Sequence, residues 1–187
     1  MALESSRWTR ERVRALPDDG KRYELVGGVL LVTPGPSGRH QSVLGLLFLA
    51  IGAYVRQHGL GRAIWGPGEL EFGDEDLTQP DLFVVPGGPP PPQGWVGAEA
   101  RLIIEALSPS SHVFDRGVKR RLAQQHRVAE YWVVDVAARA VERWTPADEA
   151  PDIIRAGLTW HPTGAPEPLR IYLPGLFAEA LGETASG

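Results

Sequence analysis

Gln79-Pro80-Asp81-Leu82-Phe83-Val84-Val85 and, after a proline-rich excursion, Arg101-Leu102-Ile103-Ile104-Glu105-Ala106-Leu107 decide how this chain folds. Each is a short apolar run of the kind that forms a strand covered on both faces. Each also carries one carboxylate: Asp81 opens the first strand, and Glu105 lies near the end of the second. As neighbours in one sheet, the two strands would bring their acids together at its end. A lone buried carboxylate is costly unless it is paired or binds a metal, so two acids on core strands require an explanation. A divalent cation is one.

Working outward, the excursion over 86–98 contains four consecutive prolines, which favour polyproline II and exclude a helix or central strand. Upstream, Thr9 caps a short helix predicted over 10–16, which Pro17 and Asp18-Asp19-Gly20 end. Gly27-Gly28 supplies the turn of a hairpin between strands over 23–26 and 29–32. Glu24 lies in that hairpin, where it reads as a solvent-facing strand residue. A loop over 34–38 delivers Arg39 and His40 to the mouth of a helix predicted over 41–58. That helix is apolar on nearly every face, so it must be covered on more than one side by a sheet and by other helices or a second subunit. A homodimer through this helix is the expectation. Strands follow over 62–65 and 69–72, and Asp74-Glu75-Asp76 reads as a solvated turn.

Downstream, a break over 108–111 is rich in capping residues. A helix over 115–126 comes next, with Asp115 placed to cap it or support its first turn. Arg116, Lys119, Arg120, Arg121 and Arg127 form a dense basic patch without an acid. It is a solvated face or a phosphate-contacting one. Strands over 130–135 and 140–144 pair across the turn at 137–139, a further strand covers 169–173, and a short helix covers 174–181 with proline in its first turn. Without internal repeats, 187 residues suit a single domain over 1–187.

The chain has no cysteine, which excludes disulfides, thiolate metal sites and thiol nucleophiles and points to the cytoplasm. Its most apolar stretch, 43–55, is too short to span a membrane. A net charge of −4 gives no global attraction for nucleic acid, so such binding needs a local patch. Seventeen of the nineteen basic residues are arginine, and the lysines are Lys21 and Lys119. Where arginine is the general-purpose cation, a lysine stands out, because its compact ammonium supports proton-linked chemistry that guanidinium does not.

Pro80-Asp81 followed by Glu105-Ala106-Leu107 resembles the signature of the PD-(D/E)XK nuclease superfamily without its final lysine. Six segments occur in the order seen in the Uma-type putative restriction endonuclease family, a bacterial domain of unknown function, and the likeness spans about 20–144. They are Tyr23-Glu24-Leu25-Val26-Gly27-Gly28, Arg39-His40, Gln79-Pro80-Asp81, Glu105-Ala106-Leu107-Ser108-Pro109-Ser110, Asp115-Arg116-Gly117-Val118-Lys119 and Glu130-Tyr131-Trp132-Val133-Val134-Asp135. The resemblance implies an α/β (α+β) fold with a restriction-endonuclease-like mixed central sheet flanked by helices. It also implies Asp81, Glu105 and the carbonyl of Ala106 as ligands of Mg²⁺ or Mn²⁺, and phosphodiester hydrolysis of DNA by direct water attack. Leu107 stands where the superfamily's lysine would be, and the resemblance suggests Lys119 as its substitute. Glu24 and His40 match positions near the cleft, as accessory groups, while Arg116, Arg120 and Arg121 are the candidate nucleic-acid contacts. Ala123 and Arg127 depart from the tyrosine and glycine usual near those positions. The alternative is a nuclease-fold module that binds nucleic acid or oligomerises without cutting.

Overall fold

The structure is a computed structural model and describes residues 7–33, 37–66, 68–108 and 112–183. The predicted loop over 34–36 and the capping-rich break over 109–111 lie outside the described residues. Thr9 caps α1 (Arg10–Arg14) as expected, its hydroxyl accepting from the Arg12 N–H. Strands β1 (Arg22–Val26) and β2 (Val29–Thr33) form the hairpin, with Gly27 and Gly28 at φ 58° and 76°, values a side chain would strain. With β4 (Leu70–Gly73), β5 (Asp76–Thr78) and β7 (Trp95–Val96) the hairpin completes a five-stranded sheet, order β2-β1-β5-β4-β7. The short strand β7 lies within the excursion and at the edge of the sheet, consistent with the exclusion of a central strand there. Trp95 and Val96, outside the proline run, pair in parallel with Leu70 and Glu71.

The six-stranded central sheet contains the two acidic strands. Its order is β11-β10-β9-β8-β6-β3, from β3 (Arg62–Trp65), β6 (Leu82–Val85), β8 (Leu102–Ala106), β9 (Tyr131–Asp135), β10 (Ala140–Trp144) and β11 (Asp152–Ile154). Strands β6 and β8 are antiparallel neighbours, with Leu82 opposite Ile104. Continuing that register sets Asp81 opposite Glu105. Strands β8 and β9 are parallel, joined by a helical crossover over 112–125. The mixed central sheet flanked by helices is as expected, and the N-terminal hairpin belongs to a second sheet packed on one face of it.

Side-chain alternation explains the layers. Leu82, Val84, Leu102, Ile104, Ala106, Trp132 and Val134 face α2 (Gly38–Gln57), α5 (Leu173–Ala180) and the β12 (Gly157–Trp160) and β13 (Leu169–Tyr172) hairpin. Phe83, Val85, Ile103, Tyr131 and Val133 face the five-stranded sheet and the crossover helix. Glu105 lies between Ile104 and Ala106 and so points to this second face. Helix α2 starts three residues earlier than the sequence suggested, which puts His40 inside its first turn. Its cover comes largely from the sheet and α5, leaving Leu49 64% exposed. None of the described helices is long and apolar enough to cross a membrane.

Candidate functional site

The crossover helix is not uniform. It begins as α3 (His112–Phe114), widens into a π-helical turn over Asp115–Lys119 and continues as α4 (Arg120–Gln125). Phe114, Val118, Leu122 and Ala123 pack into the core between the sheets, and Asp115 and Lys119 are buried beside them. Asp115 therefore does not cap the helix, because the helix starts upstream of it. Instead it lies one turn from Lys119, with Oδ1 3.1 Å from the ammonium. The same ammonium is 2.7 Å from Glu24 Oε2 and 3.2 Å from Glu105 Oε1. Glu24 shares the inward face of β1 with Val26, and its Oε1 accepts the Gln79 N–H at 2.7 Å. The solvent-facing reading of Glu24 is thus corrected: both faces of β1 are covered, one by α1 and the other by the six-stranded sheet. The Tyr131 hydroxyl completes this half by donating to the Asp115 carbonyl at 3.0 Å.

Asp81 has a different set of partners. Arg22 Nη1 lies 2.5 Å from Oδ1, while Oδ2 is 2.9 Å from His40 Nε2 and accepts the Ala106 N–H at 2.8 Å. Burial alone would raise the Asp81 pKa, but the His40 bond and charge, Arg22 and the Ala106 N–H outweigh it and hold the group below its ordinary value. At Glu105 the balance is reversed. Burial pushes its carboxyl well up, and Asp115, Asp81 and Glu24 add to this against the pull of Lys119. Burial opposes the charge on Lys119 too, yet Glu105, Glu24 and Asp115 together hold its pKa well above the ordinary lysine value. The three carboxylates thus favour the charged form of Lys119.

Four carboxylates (Glu24, Asp81, Glu105, Asp115) meet two fixed cations (Arg22, Lys119), so full ionisation leaves two negative charges in excess. Glu24 Oε2 and Asp115 Oδ1 are buried without a hydrogen-bond partner among the described residues, though both lie at ion-pair distance from the ammonium. All-oxygen donors and uncompensated negative charge fit a hard divalent cation. Among the described residues no three acids or histidines are already gathered as a ready coordination shell, and Lys119 occupies the space between three of the carboxylates.

The model of the family described as "Uma2: Putative restriction endonuclease" matches residues 10–167. The chain belongs to the Uma2 family. Membership supports a nuclease function in general. The solved structure of a putative nuclease belonging to DUF820 from Anabaena variabilis ATCC 29413 is similar to this Uma2 chain, with a TM-score of 0.73 and 23% identity. The likeness covers 92% of this chain and 99% of the other, and at that identity it shows a common fold. No curated protein gives a match.

Of the residues singled out in the sequence, Asp81, Glu105, Lys119, Glu24, His40 and Ala106 converge. The arginines of the basic patch that were singled out do not join them. Arg116 pairs with Asp135 at 2.9 Å and Glu142 at 2.6 Å, and Arg120 lies over the Trp144 ring at 4.4 Å while bonding the Arg116 carbonyl and Gln124. Arg121 is exposed. Two residues of this cluster escaped the sequence reading, Arg22 and Asp115 as a full member. Asp115 left a signal in its spacing from Lys119, whereas Arg22 left none.

Proposed function

We propose that this chain is a divalent-metal-dependent endonuclease that hydrolyses phosphodiester bonds of DNA by direct water attack, as one restriction-endonuclease-like domain. The observation that carries this reading is the Lys119 ammonium, 3.2 Å from Glu105, supplied by a helix where the strand itself ends in Leu107. Asp81, Glu105 and the Ala106 carbonyl would hold Mg²⁺ or Mn²⁺, with Glu24 as a further oxygen donor. The bound ion supplies Lewis-acid polarisation of the phosphate and acidifies a bound water.

The chain's own residues do the rest. Held ionised by its donors, Asp81 keeps its negative charge at neutral pH, and Ala106 N–H fixes its orientation. Lys119 contributes a permanent positive charge that counters charge build-up on the phosphate and orients water through its N–H donors. His40 locks Oδ2 of Asp81 from the opposite side.

A plasmid-nicking assay with Mg²⁺ or Mn²⁺ tests the proposal. Asp81→Ala and Glu105→Ala are expected to lower nicking by about a hundredfold or more, and Lys119→Ala by a similar factor. Equal rates in wild type and all three variants would overturn it and leave a nuclease-fold module that binds nucleic acid or oligomerises.

A further inference from the structure

Arg116 and Arg120 are committed to partners inside the fold, so the contacts for a polyanionic substrate must be sought elsewhere. Two cavities flank Asp81. One, of about 530 Å³, lies between α1, the start of β1 and residues 66–79, with Lys21, Arg22, Gln41 and Gln79 in its walls. The other, of about 340 Å³, opens at the carboxyl ends of β8 and β9 and is lined by Arg39, His40, Leu107 and Arg139. Arg22 contacts Asp81 Oδ1 and His40 contacts Oδ2. Each cavity is thus lined by a side chain that contacts a different oxygen of the same buried carboxylate.

Acids also line these cavities. Asp18 and Glu69 lie in the first and Glu183 in the second. Glu69 already binds Arg14, while Asp19 pairs with Lys21 and Glu183 with Arg139. The last two pairs are solvent-exposed, with about half of the Lys21 and Arg139 side-chain surface open. Exposed pairs contribute little, so phosphate can replace the carboxylate at both cations.

We propose that a nucleic-acid strand crosses Asp81 from one cavity to the other. Its phosphates on one side of the cut meet Lys21 and Arg22, and those on the other meet Arg39 and Arg139. This rests on the reading above that Asp81 lies at the scissile phosphate. A small phosphoester would fill one cavity and leave the cations of the other idle. Cations on both sides of one carboxylate suit a substrate that extends in both directions. Gln41 and Gln79 add amide groups able to bond phosphate oxygens or base edges.

The test is fluorescence anisotropy with a short fluorescein-labelled DNA duplex, full-length protein and EDTA, over a series of salt concentrations. Lys21→Ala, Arg39→Ala and Arg139→Ala are each expected to weaken binding by about fivefold and to lower the salt slope by about one. Arg121→Ala is expected to bind within about twofold of wild type. Thermal melts matching wild type establish that the variants fold, as their exposure leads one to expect. The strand path is overturned if Arg121→Ala weakens binding while the cavity variants do not, or if wild type does not bind. Plasmid nicking by wild type, measured in parallel, judges the nuclease reading separately. Intact nicking with unaffected cavity variants overturns only the path. Binding that depends on the cavities without nicking supports the path and overturns the catalytic reading.

Discussion

Asp81 and Glu105 face each other across one strand pair, yet they sit in opposite electrostatic surroundings. Asp81 is held by an arginine, a histidine and a backbone N–H, and the arginine and histidine each line a cavity. Glu105 is sealed against the second sheet with Glu24, Asp115 and Tyr131, and its cation is an ammonium shared three ways. Two acids in register are therefore not equivalent. One half of the site is bordered by cavities and rich in donors. The other is closed and short of positive charge, and that is the half a divalent cation would relieve.

The largest expected effect comes from removing the shared ammonium. Lys119→Met strands three buried carboxylates, and urea denaturation should show a loss of about 3–5 kcal/mol. Adding Glu105→Gln should recover part of it, because one of the stranded charges is then gone. A loss below about 1 kcal/mol would mean that the closed half is wetter than its burial indicates.

A smaller effect separates the two acids by pH. The Asp81 pKa is depressed on folding, so its stabilisation is present above its unfolded pKa and is lost as pH falls through the folded value. The Glu105 pKa is raised, so its contribution is present below its unfolded pKa and is lost as pH rises through the folded value. Measured with EDTA, the stability of wild type relative to Asp81→Asn should fall towards acid. Relative to Glu105→Gln it should fall as pH rises above the usual carboxylate range. Each slope is limited to about 1.4 kcal/mol per pH unit. Parallel slopes would erase the distinction between the two halves.

The smallest effect lies outside both halves. Arg116→Ala removes two carboxylate partners from a side chain that is 39% exposed, so solvent screening limits the loss to about 1 kcal/mol or less. Nicking should stay at the wild-type rate. A large drop in nicking would return the basic patch to the site.

The two acidic strands, their alternation and the lysine on the following helix were legible in the sequence because each rests on a local pattern: apolar runs, a single carboxylate per run and a rare residue type. The second sheet was not. Its strands are short, and whether the hairpin extends the first sheet or crosses it depends on contacts between segments some fifty residues apart, as between Leu25 and Leu77. Glu24 shows the cost of that gap. Its strand alternates Tyr23 and Leu25 with Glu24 and Val26, a pattern that reads as one wet face until the partner layer is known. Charge density misled at 116–127, because a run of cations says nothing about acids brought from Asp135 and Glu142 by the next two strands.

The π-helical turn over Asp115–Lys119 has a consequence for how such a site can change. Residues pointing into the core come in adjacent pairs every four positions: Phe114 with Asp115, Val118 with Lys119, and Leu122 with Ala123. A regular α-helix, at 3.6 residues per turn, would rotate the third pair about 80° away from the first. The wider turn lets one helix present an apolar stripe and its ion pair to the same sheet. The lysine's place is thus set by backbone phase as much as by residue identity: deleting a single residue from this turn would move it out of the site with every side chain intact.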